Sequence, residues 1–170
     1  MPGPVVIVDY DPNWSVVFAE LRAPVVAALG DLVVIVEHVG STAVPGLAAK
    51  PIIDMDVVVP SVADIPEVIR RLAILGYVHR GDFGITGREA FTPPPGKPGH
   101  HLYVCAFDSE ELRRHRLFRD HLLTHPDDAK AYGELKKAAA IRFGEDRIAY
   151  TESKSQFVEA VLQRASLGGG

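Results

Sequence analysis

Two carboxylates two residues apart, Asp54 and Asp56, stand between the apolar runs Pro51-Ile52-Ile53 and Val57-Val58-Val59, a short loop after a Gly40-Ser41 pair. β-Branched runs bounded by turn residues read as strands. On a strand, residues two apart leave by the same face, so the two acids point together. An ionised carboxylate in such a strand is costly unless a cation accompanies it. Magnesium is commonly held by one or two carboxylates, with phosphate oxygens and water completing the shell. A solvated strand end, or pairing with Arg or Lys, would also account for the acids. Gly40-Ser41 follows the run Leu32-Val33-Val34-Ile35-Val36. A glycine there permits a tight turn whose N–H groups, with the Ser41 hydroxyl, face a phosphate. The combination predicts a nucleoside triphosphate site dependent on magnesium (or manganese), with Asp54 and Asp56 on the metal, Gly40 and Ser41 on the phosphates, and Lys50 of the intervening loop as a further phosphate contact.

Other groups rank behind these. His101 lies in the apolar run ending at Cys105 and is a candidate catalytic base or ligand, because imidazole titrates near neutral pH. Arg116 and Arg119, three apart on one helix face, could meet phosphate oxygens, and Arg88 is a comparable candidate. No His-Glu-x-x-His zinc motif and no Gly-x-x-x-x-Gly-Lys-Ser loop is present. Ser41 lacks the Gly-x-Ser-x-Gly setting of a serine nucleophile.

The elements that must position these residues follow from periodicity and caps. Asp11-Pro12 opens a helix carrying Trp14, Val17, Phe18, Leu21, Val25 and Leu29 at helical spacing, with Pro24 expected to bend or split it. Asp64 and Glu67 read as a capping-box pair before a helix ended by Gly76. Three more strands are expected over 77–84, 88–92 and 101–107. Ser109 caps a helix to about Thr124, a second begins at Asp127 or Asp128, and Thr151 is the expected cap of the last. The class is therefore α+β: strands and helices over the N-terminal two thirds and a C-terminal helical cap. A single unit over 1–166 is expected, with a core about 1–108, a cap about 109–166 and a disordered tail at 167–170.

With 47% hydrophobic residues in 170, the chain can bury a real core. A net charge of −4 argues against a general nucleic-acid coat. The one cysteine, Cys105, excludes an internal disulfide framework. No secretory leader and no apolar run of membrane-spanning length is visible, so a cytoplasmic protein without membrane partners is expected.

The segment His38-Val39-Gly40-Ser41-Thr42-Ala43-Val44-Pro45-Gly46-Leu47-Ala48-Ala49-Lys50-Pro51-Ile52-Ile53-Asp54-Met55-Asp56 strongly resembles the GrpB family of the nucleotidyltransferase superfamily. His100-His101-Leu102-Tyr103-Val104-Cys105, Phe118-Arg119-Asp120, His125-Pro126, Tyr132, Lys136, Arg147, Tyr150 and Lys154 extend the match over nearly the whole chain. The resemblance implies a polymerase-β-like nucleotidyltransferase core, a mixed sheet with packed helices, in which the Gly-Ser turn holds nucleotide phosphates and the Asp-x-Asp pair holds divalent metal. It implies transfer of a nucleoside monophosphate from a triphosphate to the hydroxyl of a small-molecule acceptor. The superfamily also supplies a third carboxylate from a later strand, and the run 101–107 carries none. That departure keeps open a non-catalytic accessory protein that binds nucleotides or phosphometabolites.

Overall fold

The computed structural model describes residues 3–168. Five strands, β1 (Ile35–Val39), β2 (Ile53–Val59), β3 (Val78–Gly81), β4 (Glu89–Thr92) and β5 (His100–Ala106), form one mixed sheet in the order β1-β2-β5-β4-β3. β2 is antiparallel to β1 and parallel to β5, while β4 is antiparallel to both β5 and β3. The acid-bearing strand is thus paired on both edges. Its register sets Asp54 beside His101 and Asp56 beside Tyr103.

The period-two alternation of β2 divides the molecule. Ile53, Met55, Val57 and Val59 enter the main core, packed under α1 (Trp14–Leu29) and α2 (Ile65–Ile74) through Leu21, Val25, Leu29, Val68 and Leu72. Asp54, Asp56 and Val58 leave by the other face. There Val58 and Cys105 meet Leu112 of α3 (Glu110–Thr124). Helices α4 (Pro126–Phe143) and α5 (Arg147–Gly168) complete the C-terminal cap. The cap packs on the 40–50 loop through Tyr132 and Leu122 against Val44 and Leu47, and on the N-terminal arm through Ala139 and Tyr150 against Val5. The α+β class, the mixed sheet and the helical cap are as the sequence indicates.

Several local expectations change. The first core strand begins at Ile35, because Gly30–Leu32 form a 3₁₀ turn, and so delivers its end directly to Gly40. α1 is not split at Pro24. Asp64 makes no cap: Ser61 caps the preceding turn, and Glu67 instead binds Arg70 and Arg71. Ser109 caps α3 as expected, accepting from Leu112 N–H. For α5 the capping acceptor is Asp146, not Thr151, which lies inside the helix and donates to the Arg147 carbonyl. Leu167 and Gly168, expected in a tail, continue α5, and 169–170 lie outside the described residues. No helix among the described residues is long and apolar enough to cross a membrane.

Candidate functional site

The acid-bearing face of β2, the turn after β1 and the inner sides of α3, α4 and α5 enclose a cavity of about 350 Å³. Gly40, Ser41, Lys50, Asp54 and His101 all line it, so the structure gathers five of the sequence-predicted residues on one space. Gly40 has φ +74° and caps a 3₁₀ turn over Ser41–Ala43. Within that turn Ala43 N–H donates to the Gly40 carbonyl and Val44 N–H to Ser41, leaving the N–H groups of Ser41 and Thr42 without a partner in the turn. A Cβ on Gly40 would overlap the Asp54 carboxylate, with Cγ at 3.1 Å and Oδ2 closer still.

The two aspartates are not equivalent. Asp54 is partly exposed to the cavity and accepts from His101 Nδ1 at 2.8 Å. Asp56 is 0% exposed and does not line the cavity. His115 of α3 covers it, donating from Nδ1 to Asp56 Oδ2 at 2.6 Å and from Nε2 to Glu111 at 3.1 Å. Burial raises the Asp56 pKa. Burial would lower that of His115, but the hydrogen bond and charge of Asp56 carry it above the ordinary imidazole value. His115 thus spans two carboxylates, Asp56 and Glu111. Asp56 Oδ1 is buried without a partner among the described residues.

Three lysines line the cavity with Asp54. Lys136 of α4 is 2% exposed, and its Nζ has no hydrogen-bond partner among the described residues and sits 4.7 Å from the centre of the Tyr132 ring. Lys50 and Lys154 stand 5.3 and 4.5 Å from the Tyr150 ring centre. Burial, reinforced by Lys154 and Lys50, pushes Lys136 down to about 7. Burial, then the Lys50 charge, brings Lys154 to about 8. Burial and Arg147 also lower Lys50. The Tyr150 hydroxyl is another buried polar atom with no partner among the described residues. A concave site with several desolvated cations and unsatisfied donors is suited to a multiply charged anion.

The two arginines lie elsewhere. Arg119 is ion-paired to Glu37 and Asp120 and donates to the His38 carbonyl at 3.1 Å, while Arg116 reaches Glu37 at 3.1 Å. These bonds dock α3 on β1, and neither arginine lines the cavity. Arg88 lies 4.2 Å from the Tyr103 ring centre with its Nε buried, also outside the cavity lining.

Sequence reasoning did not assign His115, Glu111, Lys136, Lys154, Tyr132 or Tyr150 to the site. The signal was present for the lysines. Tyr132, Lys136 and Ala139 form one buried helical stripe, Lys154 lies half-buried in line with the buried Tyr150 and Val161, and a lysine in such a stripe is out of place unless it serves a site. Glu111 reaches the cavity from the first turn of α3, whereas β5 supplies His101 and Tyr103 but no acid.

A divalent cation would find two carboxylates on one face and an unpartnered oxygen on Asp56. Among the described residues no three His, Cys, Asp or Glu side chains form a ready-made cage. Paired carboxylates are the chemistry a hard cation takes with phosphate and water as its other ligands, but the set is incomplete while His115 is bonded to Asp56.

A family model described as GrpB protein matches residues 4–164. The UPF0157 protein YqkA of Bacillus subtilis is 32% identical over 161 residues, covering 95% of this chain and 47% of its own length. The UPF0157 protein PA4798 of Pseudomonas aeruginosa is 40% identical over 163 residues, covering 94% of this chain and 66% of its own. The chain thus spans about half of the first relative and about two thirds of the second. The crystal structure of the conserved protein GrpB from Enterococcus faecalis superposes with a TM-score of 0.84 at 35% identity, covering 94% of this chain and 96% of that one. The family match spans the turn, the acid-bearing strand and the lysine-bearing helices alike, and the chain belongs to the GrpB family.

Proposed function

We propose that the cavity binds a nucleoside triphosphate with a divalent cation and transfers its nucleoside monophosphate to a hydroxyl acceptor. The observation that carries this reading is the meeting of Asp54, the Gly40-Ser41 turn and Lys50, Lys136 and Lys154 around one cavity. Asp54 and Asp56 would hold magnesium (or manganese), which when bound neutralises phosphate charge. The Ser41 and Thr42 N–H groups and the Ser41 hydroxyl are donors for phosphate oxygens, and the lysines offset the charge of the pyrophosphate portion. His101 gives its Nδ1–H to Asp54, which leaves the Nε2 lone pair to accept a proton. In the transfer, the acceptor oxygen bonds to the α-phosphorus, pyrophosphate leaves and His101 takes the hydroxyl proton.

The test is a melting series with each nucleoside triphosphate, with and without magnesium or manganese, followed by a pyrophosphate-release assay. Ligand at about 100 times its dissociation constant adds about 2.7 kcal/mol, a visible shift. We expect a shift that requires metal and disappears in a folded Asp54→Asn/Asp56→Asn protein. An unchanged shift in that variant refutes the reading.

A second reading, a nucleotide- or phosphometabolite-binding module without turnover, is favoured by the cover that His115 places over Asp56 and by the acid-free β5. It predicts nucleotide binding with no pyrophosphate released for any acceptor.

A further inference from the structure

We propose that Lys136 is a neutral amine until a polyphosphate enters the cavity and becomes an ammonium with it, so that the site takes up its anion together with a proton. The inference rests on the anion-binding part of the function proposed above and does not require nucleotidyl transfer.

The surroundings of the amine oppose its charge while the cavity is empty of anion. Its Nζ is buried and has no acceptor among the described residues, while the residue itself lines the cavity. Tyr132 faces it from its own helix through the ring, a contact that, like Asp54, favours the charged form. From α5 come Lys154 and Tyr150, with the Arg147 charge beyond Lys50, and from the loop before β2 comes Lys50 itself. The carboxylate acting on it is Asp54, which is already hydrogen-bonded to His101. Glu111 and Asp56 are engaged by His115, and Arg114 by Glu159 and Glu111. Charging a desolvated amine beside two other lysines and without an acceptor is unfavourable. The low values of Lys136 and Lys154 agree with this. A phosphate chain supplies the missing acceptors and the opposite charge at once. Cations that were mutually repulsive become jointly favourable, and the proton affinity of Lys136 rises by linkage.

The cavity therefore discriminates by charge density. A ligand must bring enough negative charge to protonate a lysine, which favours adjacent phosphates over a carboxylate or a single sulfate-like group. A weakly charged ligand leaves Lys136 neutral and its own oxygen short of a donor.

The probe is inorganic tripolyphosphate, titrated calorimetrically at pH 8 with divalent metals chelated, in two buffers of unlike ionisation heat. The dependence of the observed heat on buffer gives the protons taken up. We expect about one proton per ligand for the wild type, and a value lower by at least about half a proton for Lys136→Met. Subtracting the variant removes the probe's own titration. Equal proton uptake in the two proteins, or wild-type binding without uptake, overturns the proposal. So does an absence of tripolyphosphate binding by folded protein. Metal-dependent nucleotide binding that survives either result would leave the proposed function standing. Intact proton uptake without pyrophosphate release would remove only the catalytic part of that reading.

Discussion

The Gly40 backbone lies flat against the Asp54 carboxylate, and no side chain can be placed between them. The turn and the acid consequently hold each other in position. Gly40→Ala is expected to lose about 1–3 kcal/mol, because a left-handed backbone angle is combined with displacement of the carboxylate. It should also weaken metal-dependent nucleotide binding at least tenfold. Urea denaturation and nucleotide titration check the two effects, and wild-type affinity in the variant would show that Asp54 does not need the turn.

His115 and Asp56 form a pair that is harder to break than to replace. His115→Ala leaves a buried carboxylate unpaired and should cost about 3–5 kcal/mol, part of which returns when Asp56→Asn is added. The folded His115 pKa lies above its unfolded value. Its contribution is therefore complete below about pH 6.5 and is lost as pH rises through the folded value. The stability gap between wild type and His115→Gln should narrow from pH 6 to higher pH in denaturant titrations. A gap constant with pH would contradict an imidazolium bridge.

Lys136 acts on stability with the opposite sense. A base with a lowered folded value destabilises the protein fully below that value, near 7, and ceases to do so as pH climbs toward 10.5. Lys136→Met is expected to be the more stable protein at pH 7, by roughly 2–4 kcal/mol, with the advantage disappearing by about pH 10. Thermal melts of the two proteins at matched pH values provide the comparison. A variant less stable than wild type at pH 7 would mean that the ammonium has a partner.

Arg119 belongs to the docking of α3 on β1. Arg119→Ala should lower stability by about 1–3 kcal/mol, because the half-buried Glu37 is left with Arg116 alone. Nucleotide affinity should change less than twofold where the variant is fully folded. A large loss of affinity at full folding would return Arg119 to the ligand's surroundings.

The part of this site readable from sequence is local. Asp54 and Asp56 share a face because a strand has a period of two, and Gly40-Ser41 announces a turn through composition. What strand periodicity does not carry is depth. The two acids obey one pattern, yet Asp54 opens to the cavity and Asp56 lies under His115, because α3 crosses only one of them. His115 and Arg119 look alike as polar members of a charged helix, and only the docking angle of α3 decides that one meets an acid of β2 and the other Glu37 of β1. Lys136 and Lys154 are visible as lysines within apolar stripes, although the stripe alone does not say which element they meet. Cap assignment goes astray where several acceptors lie close together along the chain, as Asp146 and Thr151 do.

The cavity walls come from residues 40–54 and from His101 onward, joined by the packing of Tyr132 and Leu122 on Val44 and Leu47. No contiguous fragment carries both the aspartates and the lysines without everything between them. If the cavity holds a polyphosphate as proposed, the strands, made early in synthesis, must await the final two helices before it can do so. On that proposal ligand binding reports on the finished molecule alone: a chain with a native sheet and an undocked cap would pass as folded to a probe of strand content and stay silent to polyphosphate.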